Sequence, residues 1–289
     1  MKILMTGGSG YIGSLLKQEL KDQYEFISVS SKDLDLSKPD MVAAYFDPLD
    51  FDVCLHLAAK AQTKICEEQP DYTRLINVDS AIEMAKVCQA KKARMVFFST
   101  EQVFNKQEPA PFKEEDSPKS STHYGQHKIA VEEYLQGYQD DYLILRLSWQ
   151  FGLSSKNIKA SPNLVKNVIN ALLYQNPTFF TVNEHRSMTY AYHLVESFPA
   201  ILSCPKGIVH FASTTDLTTY ECALAVAKQL NANQEAISKY ILADHKRYQE
   251  APRDYRLDNK KARDLGFSLA DFSDDLKQCL EDFDWIKSD

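Results

Sequence analysis

Thr6-Gly7-Gly8-Ser9-Gly10-Tyr11-Ile12-Gly13 joins two segments of different periodicity. Ahead of it, Lys2 to Thr6 is a short apolar run with the pattern of a buried strand. Behind it, Tyr11 to Lys21 repeats Ile12, Leu15, Leu16 and Leu20 along one helical face. Glycine is scarce in this chain, nine in 289 residues, yet Gly7, Gly8, Gly10 and Gly13 crowd into this bend. Glycine allows a sharp strand-to-helix turn, and the missing side chains let a pyrophosphate reach the amides at a helix N-terminus. The spacing fits G-x-G-x-x-G from Gly8 and G-x-x-G-x-x-G from Gly7. With a strand before it and a helix after it, the bend has the context of a dinucleotide cradle.

Outward from the bend, strand and helix patterns alternate. Glu25–Ser30, Val53–Leu57, Met95–Ser99 and Tyr142–Leu147 read as strands. Lys38–Phe46, entered through Ser37 with a proline at its second position, Tyr72–Ala90 and Tyr124–Gly137 read as helices. This rhythm means βαβ units, an α/β fold with a parallel sheet and helices on both faces. After Gly152 the rhythm loosens. Asn163–Tyr174, Tyr190–Leu202, Thr218–Leu230 and Asp271–Trp285 look helical, with Thr218 as a cap, and Thr178–Val182 and Gly207–Phe211 look strand-like. Asn105–Thr122, rich in Pro, Glu, Lys and Ser, is a long loop of the kind that often serves function. Its Glu114-Glu115-Asp116 run reads as a solvated acidic patch.

Composition narrows the class. Hydrophobic residues make up 44% and charged residues 25% of the chain, ordinary globular values that exclude disorder, collagen and a coiled-coil rod. The net charge of -7 and the absence of a basic stripe argue against nucleic acid as a partner. No apolar run is long enough to span a membrane, and no signal peptide is evident. Cys54, Cys66, Cys88, Cys204, Cys222 and Cys279 are scattered without a C-x-x-C pair and read as reduced thiols of a cytoplasmic protein. The histidines show no metal-ligand spacing, so no metal is expected.

The second strand runs into Ser28-Val29-Ser30-Ser31-Lys32, hydroxyls and a cation suited to a 2′-phosphate, whereas an acid there would bind the ribose hydroxyl of NAD. Asp33 has the nominal spacing for that acid but lies beyond the strand. The cofactor expected is therefore NADPH, with NADH possible. Tyr124 and Lys128 form Y-x-x-x-K, which puts both side chains on one helical face. The spacing alone arises readily by chance, but this pair opens the helix just after a strand ending in Ser99-Thr100. Strand ends at this edge of a doubly wound sheet are where ligands sit.

Taken together, these segments resemble an extended short-chain dehydrogenase/reductase of the dTDP-4-dehydrorhamnose reductase (sugar-nucleotide reductase) family. The resemblance covers essentially the whole chain. It rests on the glycine bend, His56-Leu57-Ala58-Ala59, Ser99-Thr100-Glu101-Gln102-Val103-Phe104, Tyr124-Gly125-Gln126-His127-Lys128 and Leu145-Arg146-Leu147-Ser148-Trp149-Gln150-Phe151-Gly152. Gly207-Ile208-Val209-His210-Phe211, Thr219-Tyr220-Glu221, Pro252-Arg253 and Leu257-Asp258-Asn259-Lys260-Lys261 extend it.

The resemblance implies a Rossmann-type domain over 1–152, with 178–203 returning to its sheet. A smaller, discontinuous substrate lobe would cover 153–177 and 204–289. It implies reduction of a nucleotide-linked 4-keto-sugar by a monomer or homodimer, with Thr100, Tyr124 and Lys128 as the catalytic set. Tyr124 would donate the proton, Lys128 would lower the phenol pKa, and Thr100 would orient the carbonyl. Cofactor contacts would come from Gly7, Gly10, Tyr11, Ile12, Gly13, Ser30, Ser31, Lys32, Asp35, Leu36, Leu57, Ala58, Ala59, Asn77, Ser99, Tyr124 and Lys128. Gln102, Trp149, Arg186 and Arg253 are the substrate candidates, the two arginines because a guanidinium fork suits a diphosphate. Trp149 reads equally as a core residue, each arginine equally as one half of a surface ion pair, and His56 as a packed strand residue.

The substrate side departs from the family pattern. Glu101-Gln102 stands for Asp-Tyr, and Asn183-Glu184-His185-Arg186-Ser187-Met188-Thr189 for an Asp-Gln…Gly-x-Pro-Thr segment. Lys60–Glu67 also differs. An epimerase or dehydratase of the same superfamily, and a non-catalytic nucleotide-binding subunit resembling the regulatory subunit of methionine adenosyltransferase, remain alternatives.

Overall fold

Apolar runs buried on both faces build the principal sheet. The computed structural model describes residues 1–105, 110–138 and 140–287. Strands β1 (Lys2–Thr6), β2 (Glu25–Val29), β3 (Val53–His56), β4 (Arg94–Thr100) and β5 (Tyr142–Leu147) lie in the order β2-β1-β3-β4-β5, with Gly207–Phe211 beside β5. The pairings of β1 with β2 and β3, and of β4 with β3 and β5, are parallel, in registers that include Thr6 with both Val29 and His56. Such a sheet, covered on both faces, needs continuous apolar strands. Met95–Phe98 and Leu143–Leu145 supply them, all buried.

The connecting helices are α1 (Tyr11–Leu20), α2 (Asp40–Phe46), α3 (Thr63–Glu68), α4 (Pro70–Arg74), α5 (Ser80–Lys91) and α6 (His123–Tyr138). Val42 and Phe46 of α2, Met84 and Cys88 of α5, and Val131 and Leu135 of α6 share one core with Leu4, Cys54, Phe97 and Ile144 of the sheet. The strand order reverses between β1 and β3. The carboxyl ends of strands open a ligand crevice at such a switch point.

Three helix expectations change. The helix expected from Lys38 begins at Asp40, because Asp35 captures the Ser37 amide and hydroxyl in a turn and Pro39 caps the helix from outside. The single helix expected over Tyr72–Ala90 is α4 and α5 joined by a π-turn at Leu75–Asp79, which turns Asn77 inward. Tyr190–Leu202 is no continuous helix. It divides into a strand at Met188–Tyr190 and helices at His193–Glu196 and Phe198–Ser203, the second restarted by Pro199.

The chain forms two units. The first comprises Met1–Gln107, Glu114–Leu147 and Ser197–His210, and the second Glu108–Lys113, Ser148–Glu196 and Phe211–Asp289. Of the segment 178–203 expected to rejoin the first unit, Ser197–Ser203 does so and the return runs on to His210, while 178–196 stays in the second. Phe198 packs on Tyr24 and Phe26 in the first unit, whereas Thr178–Thr181 pairs in parallel with Ile241–Asp244 inside the second unit. The second unit has its own core, built on helices Leu164–Leu173, Thr219–Gln229 and Phe272–Asp282. Each is capped, Thr218 as the sequence expects (in a capping box with Glu221): Asn163, Thr218 and Asp271 accept amide hydrogen bonds from their first turns. Among the described residues, no helix is long and apolar enough to cross a membrane.

Candidate active site

The glycine bend forms as its spacing requires. Gly7 has φ +71°, and a Cβ there would stand 2.8 Å from the Ala58 amide nitrogen. A Cβ on Gly13 would stand 2.6 Å from Gly8 Cα, so α1 packs directly on its own entry loop. Gly10 caps α1 without a side chain, and the first turn holds no acid. A helix start with no acid in its first turn favours an anion there.

Above this bend lies a cavity of about 360 Å³. Gly7, Gly10, Ser30, Ser31, Asp35, Leu36, Leu57, Ala58 and Ala59 line it, all cofactor candidates from the sequence, together with Thr6, Ser9, Lys60, Tyr72 and Ile76, which sequence reasoning missed. A dinucleotide fits this donor set: bare glycine backbone at an uncapped helix start, with apolar Leu36 and Leu57 on the walls. Tyr11, Ile12, Gly13, Lys32, Asn77, Ser99, Tyr124 and Lys128 do not line it. Asn77 works from behind. It accepts the Lys60 amide proton at 2.7 Å and donates to the Lys60 carbonyl at 3.0 Å, fixing the segment after β3.

The β2 end is settled by hydrogen bonds. Asp33 turns back to accept from the Ser30 amide (2.8 Å) and hydroxyl (2.7 Å), bonds that hold its carboxyl below the usual range. Asp35 is likewise held low by the Ser37 hydroxyl and amide. Both acids are occupied, and Ser31 and Lys32 are exposed.

Tyr124 and Lys128 are placed by a chain of local contacts. Thr100, at the end of β4, accepts the Gln102 amide proton at 3.2 Å and starts the short turn Glu101–Phe104. Asn105 then ties down Ser121 and Thr122, and the Thr122 hydroxyl accepts from the Gly125 amide at 3.2 Å. A Cβ on Gly125 would meet Ser120 Oγ at 2.0 Å and the Gln102 carbonyl oxygen at 2.7 Å, so glycine is what lets α6 lie against this turn. Ser99, Thr100, Tyr124 and Lys128 are thus gathered at one edge of the sheet, all buried.

The Lys128 ammonium lies 6.0 Å from the Tyr124 ring centroid and 4.4 Å from that of Phe97, and it donates to the Phe98 carbonyl at 2.6 Å. Burial lowers its pKa to about 8, against the opposing charge of Glu132. The Tyr124 phenol is pushed well above its usual value by burial, then by the Glu101 carboxylate and the Cys66 thiol, so it is a neutral proton carrier. His56, buried and bonded to Thr6 at 3.0 Å, is pushed down to about 3 by burial and then by Lys128, and stays neutral.

Sequence reasoning missed the charged network behind this edge. Ser99 donates to Glu132, and Glu132 is paired with Arg146, which also reaches His210 at 3.3 Å. The only signal was the i,i+4 spacing of Lys128 and Glu132 on α6. The acidic run also reads differently in the structure, because Glu114 accepts the His210 amide proton at 2.9 Å.

In the second unit, Trp149 is 39% exposed and is not a core residue. It lines a cavity of about 270 Å³ with Phe151, Asn163, Leu164, Phe180 and Glu184. Arg186 is buried beside Glu184, at 3.2 Å, and does not offer its fork to solvent, while Arg253 is 37% exposed. A cavity of about 530 Å³ around Arg256, Asn259 and Lys260 is lined by none of the candidate residues.

A parallel sheet with a switch-point glycine cradle, and a tyrosine and lysine one helical turn apart beside the fourth strand, define an extended short-chain dehydrogenase/reductase. The chain belongs within that class to the family described as the RmlD substrate binding domain, whose model matches residues 1–285. It is 28% identical over 229 residues, 79% of each chain, to the spore coat polysaccharide biosynthesis protein SpsK of Bacillus subtilis. Similarity to the dTDP-4-dehydrorhamnose reductase of Aggregatibacter actinomycetemcomitans is 25% identity over 292 residues, 96% of this chain and 97% of the relative. The crystal structure of dTDP-4-dehydrorhamnose reductase from Bacillus anthracis in complex with NADP superposes with a TM-score of 0.84 at 22% identity, over 97% of this chain and 98% of that one.

Proposed function

We propose that this chain reduces the 4-keto group of a nucleotide-linked sugar, using NADPH with NADH as the lesser alternative. The observation that carries the reading is the neutral Tyr124 phenol beside the Thr100 turn, in the same unit as the glycine-lined cavity. Names among the relatives support the substrate class. The bound dinucleotide supplies hydride.

Gly7, Gly10, Leu57 and Ala58 would hold the dinucleotide, with Ser31 and Lys32 on a 2′-phosphate. Thr100 donates a hydrogen bond to the sugar carbonyl and sets its orientation. As the carbonyl carbon gains hydride, the oxygen becomes an alkoxide, far more basic than a phenolate, and Tyr124 passes its proton to it. Lys128, cationic below about pH 8, steadies the phenolate left behind. The first unit would carry the cofactor, and in the second unit the exposed Trp149 ring borders a cavity of its own. The six cysteines are all buried, which supports a reducing, cytoplasmic setting.

The test is oxidation of NADPH and of NADH against a panel of nucleotide 4-keto-sugars, dTDP-4-dehydrorhamnose first. Turnover with one of them and a preference for NADPH are expected. Retention of NAD through purification without net oxidation would favour the epimerase or dehydratase reading.

A further inference from the structure

We propose that Arg186 is a positioning residue for Trp149: clamped between two rings and neutralised by Glu184, it fixes the indole as a wall of the substrate pocket. Its guanidinium lies 4.4 Å from the ring centroid of Trp149 and 4.4 Å from that of Tyr255. A planar cation between two π faces is attracted to both, and a guanidinium stacks on each where an ammonium cannot.

The two rings differ. Tyr255 is buried at 5% exposure, whereas Trp149 is 39% exposed and borders the 270 Å³ cavity. Arg186 therefore ties an accessible ring to an anchored one. A buried cation needs a counter-charge, and Glu184, itself 3% exposed, supplies it at 3.2 Å. Arg253 divides the labour. It stacks on Tyr248 at 3.6 Å and shares the Glu184 carboxylate at 3.8 Å, yet remains partly exposed. The proposal rests on reading this cavity as the substrate side, but its first test needs no substrate.

The chain has two tryptophans, so Trp285→Phe leaves Trp149 as the sole reporter. In that background Arg186→Lys keeps the charge against Glu184 and loses the plane, and Arg186→Gln with Glu184→Gln removes both charges. Each is expected to raise acrylamide quenching of Trp149 roughly twofold and to speed the decay of its fluorescence anisotropy. With substrate, KM for the nucleotide sugar is expected to rise about fivefold while kcat and the KM for NADPH stay within about twofold. Adding Arg186→Lys to Trp149→Phe is expected to change KM no further.

Unchanged quenching and anisotropy in folded variants would overturn the proposal. So would a raised KM with an unmoved Trp149, which would make Arg186 a direct ligand, or fully additive effects in the double variant. If those variants fail to fold, Tyr255→Leu reads the same clamp with every charge in place: a loosened Trp149 supports it and an unmoved one overturns it. Absence of turnover would count against the reductase reading, while the fluorescence arm still decides the clamp.

Discussion

Glu132 holds Arg146 through three hydrogen bonds, at 2.7, 3.1 and 3.2 Å, with both side chains sealed from solvent one helical turn beyond Lys128. Because Glu132 also accepts from Ser99, this pair fastens α6 to the end of β4 just where Lys128 grips the Phe98 carbonyl.

Removing one partner of a buried ion pair strands the other. Glu132→Ala is therefore expected to cost about 3 to 5 kcal/mol of unfolding free energy, measured by urea denaturation. Glu132→Gln, which keeps part of the hydrogen bonding, should cost less. The charge of Glu132 also props up the Lys128 pKa of about 8 against burial. In wild type, kcat/KM is expected to fall as pH rises through about 8, and in Glu132→Gln the fall should begin at lower pH. A profile that does not move would detach Glu132 from Lys128.

The occupied carboxylates of Asp33 and Asp35 leave Lys32 as the exposed charge after β2. Lys32→Ala is expected to raise the KM for NADPH about tenfold, the worth of a charge-assisted hydrogen bond, with the KM for NADH unchanged. Equal losses for the two cofactors would show that Lys32 does not read the 2′-phosphate.

His193 is bonded to Asp275 at one ring nitrogen and Glu196 at the other, each at 2.7 Å. Burial alone would lower its pKa, but the two carboxylates outweigh that and raise it above the ordinary 6.5. The folded state then holds this proton more tightly than the unfolded chain. The stabilisation is complete below about pH 6.5 and is lost as pH rises through the raised value. Relative to wild type, His193→Gln should be most destabilised at the acid end of this range and converge on it at the alkaline end. A constant difference in Tm across the range would contradict the linkage.

Much of the first unit is legible in the sequence because parallel strands buried on both faces leave continuous apolar runs. Lys2–Thr6, Tyr142–Leu147 and Gly207–Phe211 fold over the very residues their patterns mark. The glycine bend is legible for a different reason: close backbone contact at Gly7 and Gly13 excludes every other side chain. What stays hidden is long-range pairing. Nothing in Thr178–Val182 announces that it joins Ile241 and not the main sheet, and nothing local shows that Glu132 and Arg146 meet. The π-turn at Leu75–Asp79 is hidden too, since it answers to the Lys60 backbone that Asn77 must reach. Arg186 is legible as a guanidinium suited to a diphosphate, but its two ring partners lie 37 and 69 residues away along the chain.

Whether Tyr124 supplies the proton when the ketone is reduced is read from single-turnover oxidation of NADPH with dTDP-4-dehydrorhamnose, comparing wild type and Tyr124→Phe, with NADPH affinity measured alongside by titration. Loss of the phenol is expected to slow turnover about 10²- to 10⁴-fold, the usual contribution of a positioned acid, while NADPH affinity stays within about twofold. A Tyr124→Phe protein that turns over as fast as wild type would contradict the account.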